Sequence, residues 1–156
     1  MKNKYFPDED ITMNDLYFIC YMIERVARRL KQRNKYVVNA IGADGLYHLL
    51  SCAKALHCEN PLKTEQEWID TYALLQGDFD ITDVDRELAE HIPTALDMGA
   101  VYQRLICDTM STKENYVDGI IRVYNDRICE VIDNYNGSAF YEPSYVIARA
   151  YQAGGF

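Results

Sequence analysis

The residues with the strongest claim to chemistry lie between His48 and Cys58. His48 and Cys52 are four apart, and His57 and Cys58 follow, giving four nitrogen or sulfur donors within eleven positions. Such a set could hold zinc, but the spacing matches no finger closely, and Cys52 falls on the apolar side of its helix. Asp78-x-Asp80-x-Thr82 begins like a calcium loop. The loop then needs glycine at its sixth position and glutamate at its twelfth, where Asp83 and Ala89 stand. Gly42-x-x-Gly45 lacks the lysine and the preceding strand of a phosphate loop. No nucleophile elbow or zinc-protease motif occurs, so neither catalytic residues, a metal nor a cofactor is expected. The expectation is a non-enzymatic protein.

Charge and aromatic residues offer surfaces instead. The net charge is −8, yet residues 24–36 carry six bases (Arg25, Arg28, Arg29, Lys31, Arg33 and Lys35) against one acid. Residues 59–97 carry eleven acids against two bases, with Asp78, Asp80, Asp83, Asp85 and Glu87 densest. Polarised charge of this kind steers a charged partner. The acidic total argues against bulk nucleic-acid binding but leaves room for a local basic contact. Tyrosine is in excess, thirteen in all, six of them after residue 115. Tyr116, Tyr135, Phe140, Tyr141, Tyr145 and Tyr151 form the candidate partner-binding set, because an aromatic ring with a hydroxyl suits an interface. The same rings could instead fill the core.

Positioning these residues falls to helices. The chain is 49% hydrophobic and 26% charged, in the globular range. Thr12 with Asp15, or Asn14, can cap a first helix carrying Leu16, Ile19, Cys20, Ile23, Ala27 and Leu30. Residues 36–41 read as a short helix ending at Gly42, with Asp44 capping the next. Thr64 and Glu67 form a capping box before Trp68, Ile69 and Tyr72, and Gly77 stops that helix. Thr82 caps a helix with Val84, Leu88 and Ile92, and Pro93 breaks the chain. Ala95–Met110 is helical again. From Lys113 to Tyr135 apolar residues recur at offsets of three and four, which predicts one spine helix of about 35 Å. Pro143 opens a last helix.

The expected fold class is therefore all-α: a compact bundle of six to eight helices with one long spine helix in its C-terminal half. A flexible lead-in, residues 1–12, precedes a single domain, 13–156. A weak sub-domain boundary lies within 77–93, between an N-terminal helical part (13–77) and a C-terminal hairpin part (93–156). There is no membrane-length apolar run and no apolar signal core, which points to the cytoplasm. The five cysteines then read as reduced.

One stretch resembles a known family. Phe18-Ile-Cys-Tyr-Met-Ile-Glu24, a short helix and glycine turn, Leu46-Tyr-x-Leu-Leu50 and Trp68-Ile-Asp-x-Tyr72 are similar to short uncharacterised bacterial helical proteins. Genes for these often lie beside genes for ADP-ribosyltransferase-like toxins. The likeness covers residues 14–80; the basic run and everything after residue 90 depart from it. The resemblance implies a small cytoplasmic partner protein, an antitoxin or other toxin-module component, with no catalytic residues to carry over. The leading expectation is thus a protein-interaction module whose partner is another protein, with self-association also open. The alternatives are a nucleic-acid-binding regulator using residues 25–35 and an acidic nucleic-acid mimic using residues 59–97.

Overall fold

Thr12 and Asp15 start the helix on which the other elements pack. The Thr12 hydroxyl accepts the Asp15 N–H, and the Asp15 carboxylate accepts the Thr12 N–H, a reciprocal cap. Helix α1 then runs Met13–Leu30 and stops where Lys31 turns left-handed, φ 51°. The computed structural model describes all 156 residues. After α1 come α2 (Asn34–Ser51), α3 (Ala53–Leu56), α4 (Pro61–Thr71), α5 (Ala95–Thr109), α6 (Tyr116–Tyr124), α7 (Ile128–Ile132) and α8 (Ser144–Ala153), with a 3₁₀ turn at Ala139–Tyr141. The only β pairing is an isolated bridge between Lys2 and Asp10. The all-α bundle expected from periodicity is what forms. No helix is long and apolar enough to cross a membrane.

Helix α1 packs most extensively on α5, and also on α2 and α4; α2 packs on α6 and α5 on α8. One cluster of 35 buried side chains runs from Ile11 to Ala148. The α1–α5 crossing is tight at Gly99, where a Cβ would lie 2.9 Å from the Tyr21 backbone. Backbone cannot give way as a flexible side chain can. Gly99→Ala, which would add helix propensity on an open face, is therefore expected to cost about 1–3 kcal/mol, measured as a lower urea midpoint.

Helix α2 is interrupted at Gly42, whose φ of 74° and ψ of 173° are non-helical and favour glycine, so the short helix expected to end there does so. The first twelve residues lie against the bundle. Ile11 N–H bonds to Met1 O at 2.9 Å, and the buried Asn3 donates to Ser51 O at 3.1 Å.

Three expectations need correction. The 113–135 spine is not one helix. Asn125 folds its amide onto Ile121 O at 2.8 Å, and Asp126 accepts the Ile128 N–H at 2.8 Å. One residue thus ends α6 and the next starts α7. A reciprocal amide pair between Asn125 and Asn39, 2.9 Å each way, holds the break. The longest uninterrupted helix is α1, 18 residues, and it takes the organising role. Second, α4 starts earlier than expected: Asn60 caps it, Pro61 is its first residue, and Thr64 is buried inside it.

Third, residues 82–92 are not helical. The whole stretch 72–94 is an irregular strap. Asp80 accepts both the N–H and the hydroxyl of Thr82, at 2.9 and 2.6 Å. Asp85 accepts Glu87 N–H at 2.9 Å while its own N–H goes to Asn136 Oδ1 at 2.8 Å. Short acidic side chains thereby offer the backbone an alternative to helix. The strap also satisfies the end of α1: Gly77 N–H bonds to Leu30 O at 2.8 Å and Phe79 N–H to Lys31 O at 2.9 Å.

Candidate functional site

The C-terminal half of α1, the start of α2, and helices α5, α6 and α7 converge on a buried polar junction. Glu24 lies on α1 one turn from Cys20 and is fully buried. Asn34, the first residue of α2, is 3% exposed. Its Nδ2 donates to Glu24 Oε1 at 2.6 Å and to Asp133 Oδ2 at 3.3 Å. Tyr102 of α5 donates its hydroxyl to Asp133 Oδ1 at 2.7 Å and stacks on Tyr124 of α6 at 4.5 Å. Arg28 reaches in from α1. Its Nη2 donates to Pro93 O at 2.8 Å and to the Tyr135 hydroxyl at 3.0 Å, while its Nε stands 4.0 Å from Glu24 Oε2. Neither that Nε nor that Oε2 has a hydrogen-bond partner.

Two carboxylates joined by one amide donor cannot both ionise cheaply. Burial, reinforced by Asp133, holds the Glu24 carboxyl well above the usual carboxylate range against Arg28 and Asn34. Burial pushes the Asp133 carboxyl up to about 7, against the Tyr102 hydrogen bond, Arg33 and Arg28. The pair therefore retains a proton well above the range in which exposed carboxylates lose theirs. Burial likewise pushes the Cys20 and Cys129 thiols up, which makes both poor nucleophiles.

Two openings reach this junction. A cavity of about 120 Å³ lies between the start of α2 and the α6–α7 turn, and a cleft of about 330 Å³ lies between the strap and the end of α7. They share Arg33, Glu130 and Asp133. Elsewhere, a groove of about 630 Å³ between Leu88–His91 and Tyr135–Tyr141 adjoins one of about 270 Å³ beside Val101, Arg104 and Pro143. Phe140 and Tyr141 line both grooves. Tyr141 is 64% exposed and Leu88 66%.

Set against family models, curated proteins and solved structures, the chain matches none.

The basic residues do not form one surface. Arg25 and Arg29 converge on the buried Glu65 of α4, and Arg28 points into the junction. Lys31, Arg33 and Lys35 remain exposed, Arg33 with its guanidinium 4.0 Å over the Phe79 ring. The aromatic set divides. Tyr135 and Phe140 are buried against each other at 5.2 Å. Tyr116 and Tyr151 are half-buried, Tyr151 beneath Arg122 at 5.3 Å. Tyr141 and Tyr145 face solvent. Asp78, Asp80, Asp83, Asp85 and Glu87 are all exposed on the strap. His48 Nε2 lies 3.9 Å from Cys52 Sγ, His57 stacks on Phe18 at 4.9 Å, and no three such donors converge. All five cysteines are free.

Glu24, Asn34, Tyr102 and Asp133 were not singled out by sequence reasoning. One signal was available: Glu24 falls within the apolar face of α1, between Cys20 and Ala27. An acid there needs a partner from elsewhere in the fold.

Proposed function

We propose that the chain is a non-enzymatic protein-interaction module, whose partner docks on the face around Tyr141. The observation that carries this reading is the pair of grooves meeting at Phe140 and Tyr141, with Leu88 and Tyr141 exposed in their lining. Large exposed apolar side chains beside a groove mark interaction sites on monomeric proteins, and aromatic side chains carry much of the binding energy in such sites. The buried ends of the same segment, Tyr135 and Phe140, hold the exposed rings on a rigid base. The strap that supplies Leu88 also carries the exposed acids, so a basic rim on the partner complements this face.

The sharper form of the proposal is the antitoxin or neutralising partner of a bacterial toxin in the cytoplasm, and it rests on the resemblance of residues 14–80. The nucleic-acid alternative draws less support, because Arg25, Arg28 and Arg29 are engaged with Glu65, Pro93 O and Tyr135. Affinity purification of the tagged chain from its own cells tests the reading, comparing wild type with Leu88→Asp/Tyr141→Arg. The wild type is expected to retain one stoichiometric protein whose expression alone arrests growth. The double variant is expected to lose it while keeping its helical circular dichroism and unfolding midpoint. No stoichiometric protein, or one retained equally by the variant, would overturn the proposal.

A further inference from the structure

Six charged residues surround the 120 Å³ cavity at the start of α2: Arg33, Lys35, Arg127, Asp126, Glu130 and Asp133. There are three of each sign, and none is in an ion pair with any residue of the chain. Opposite charges this crowded usually pair with one another. Here the three bases are exposed at the rim, while Asp126 and Asp133 are more deeply set. Beside Asp133 lies Asn34, almost wholly buried. Its Nδ2 is spent on Glu24 and Asp133, and its Oδ1 has no partner and is not sealed off in the core. Since Asn34 lines the cavity, that acceptor is presented to it. The Tyr124 ring and Cys129 supply the less polar wall.

We propose that this cavity binds a small zwitterion, an ammonium and a carboxylate on one short carbon frame, as in a free α-amino acid. The ammonium donates to Asn34 Oδ1 and the Asp133 carboxylate on the floor. The carboxylate meets Lys35 and, at the rim, the Arg127 guanidinium, which keeps its Nη2 on Gly154 O at 2.9 Å. Both ends are charge-assisted contacts, the stronger class of hydrogen bond. Size agrees with the chemistry. A cavity of about 150 Å³ accommodates benzene, with its six heavy atoms. One of 120 Å³ accommodates the backbone of glycine, alanine or serine, and the open side admits a longer side chain. The cavity shares no residue with the grooves at Tyr141, so it stands independently of the partner-docking proposal.

Calorimetric titration of the full chain with glycine, alanine, serine, aspartate and lysine, one at a time, tests this. N-acetylalanine lacks the ammonium, and alaninamide lacks the carboxylate. At least one free amino acid is expected to bind saturably, and both blocked alanines to bind at least about tenfold more weakly than alanine, or not at all. Lys35→Ala, a solvent-facing change that leaves the core intact, is expected to weaken binding about tenfold, and Lys31→Ala to leave it unchanged. No saturable binding by any of the five would overturn the proposal. So would blocked forms that bind as well as alanine, or equal losses in the two lysine variants.

Discussion

Urea unfolding is expected to show a chain that loses stability as pH rises from about 4 to about 7. Most proteins gain or hold stability over that interval. The cause here is the Glu24–Asn34–Asp133 junction. Asp133 has a folded pKa of about 7, against about 3.9 in an unfolded chain. Below the unfolded value both states hold the proton, and the contribution is fully present. Between the two values the unfolded chain has released its proton while the folded chain keeps it. Unfolding then releases a proton, and stability falls by up to about 1.4 kcal/mol per pH unit. Glu24 is displaced in the same direction, so its contribution has the same sign. The other groups facing the pair do not cancel this. The Tyr102, Tyr124 and Tyr135 hydroxyls and the Cys20 and Cys129 thiols are pushed up. Asp80 and Glu114 are held low by Thr82 and Arg122 and lose their contribution only at the acid end. Glu24→Gln keeps an oxygen for Asn34 and removes one of the two charges. It is expected to flatten the slope and to raise the midpoint at pH 8 relative to wild type. An unchanged slope in that variant would place the titration elsewhere.

Local signals in the chain were readable where they were self-contained. Thr12 and Asp15 cap each other within four residues, Gly42 bends α2 by its own backbone freedom, and Pro143 sits at the start of α8. The readings that failed depended on distant partners. Residues 113–135 repeat apolar side chains at helical spacing straight through Asn125, because α6 and α7 bury similar faces on either side of the break. What confirms the break is an amide pair with Asn39, 86 positions away. Likewise Val84, Leu88 and Ile92 have helical spacing, but Gly77 and Phe79 are held by the end of α1 and Asp85 by Asn136. Those bonds draw the strap out along the surface. At the junction, Asp133 reads as an ordinary polar residue on a helix flank until α7 is set beside α1 and α5. The Tyr141 face was half legible: the tyrosine excess marked the segment, and only packing could separate buried Tyr135 and Phe140 from exposed Tyr141 and Tyr145.

Arg28→Met is expected to cost about 3–5 kcal/mol at neutral pH, a far larger loss than a change within a basic surface patch would give. The methionine keeps the length of the stem and deletes three attachments. Pro93 O and the Tyr135 hydroxyl lose their donor, which frees the strap where it enters α5. Glu24 also loses the nearest cation to its unpartnered Oε2, so whatever negative charge the Glu24–Asp133 pair carries goes unopposed in the core. The side chain of Arg28 is only 20% exposed, so water replaces little of what is lost. Arg25→Met is the contrast. Arg25 is 26% exposed, and Arg29 also reaches Glu65, so that loss is expected to stay within about 1 kcal/mol. The decisive comparison is Arg28→Met/Glu24→Gln. If the cost of Arg28→Met arises mainly from stranding a buried charge, Glu24→Gln stabilises the Arg28→Met background by clearly more than it stabilises the wild type. If the effects of the two single variants simply add, Arg28 acts through Pro93 and Tyr135, as a clamp on the strap rather than a counter-ion.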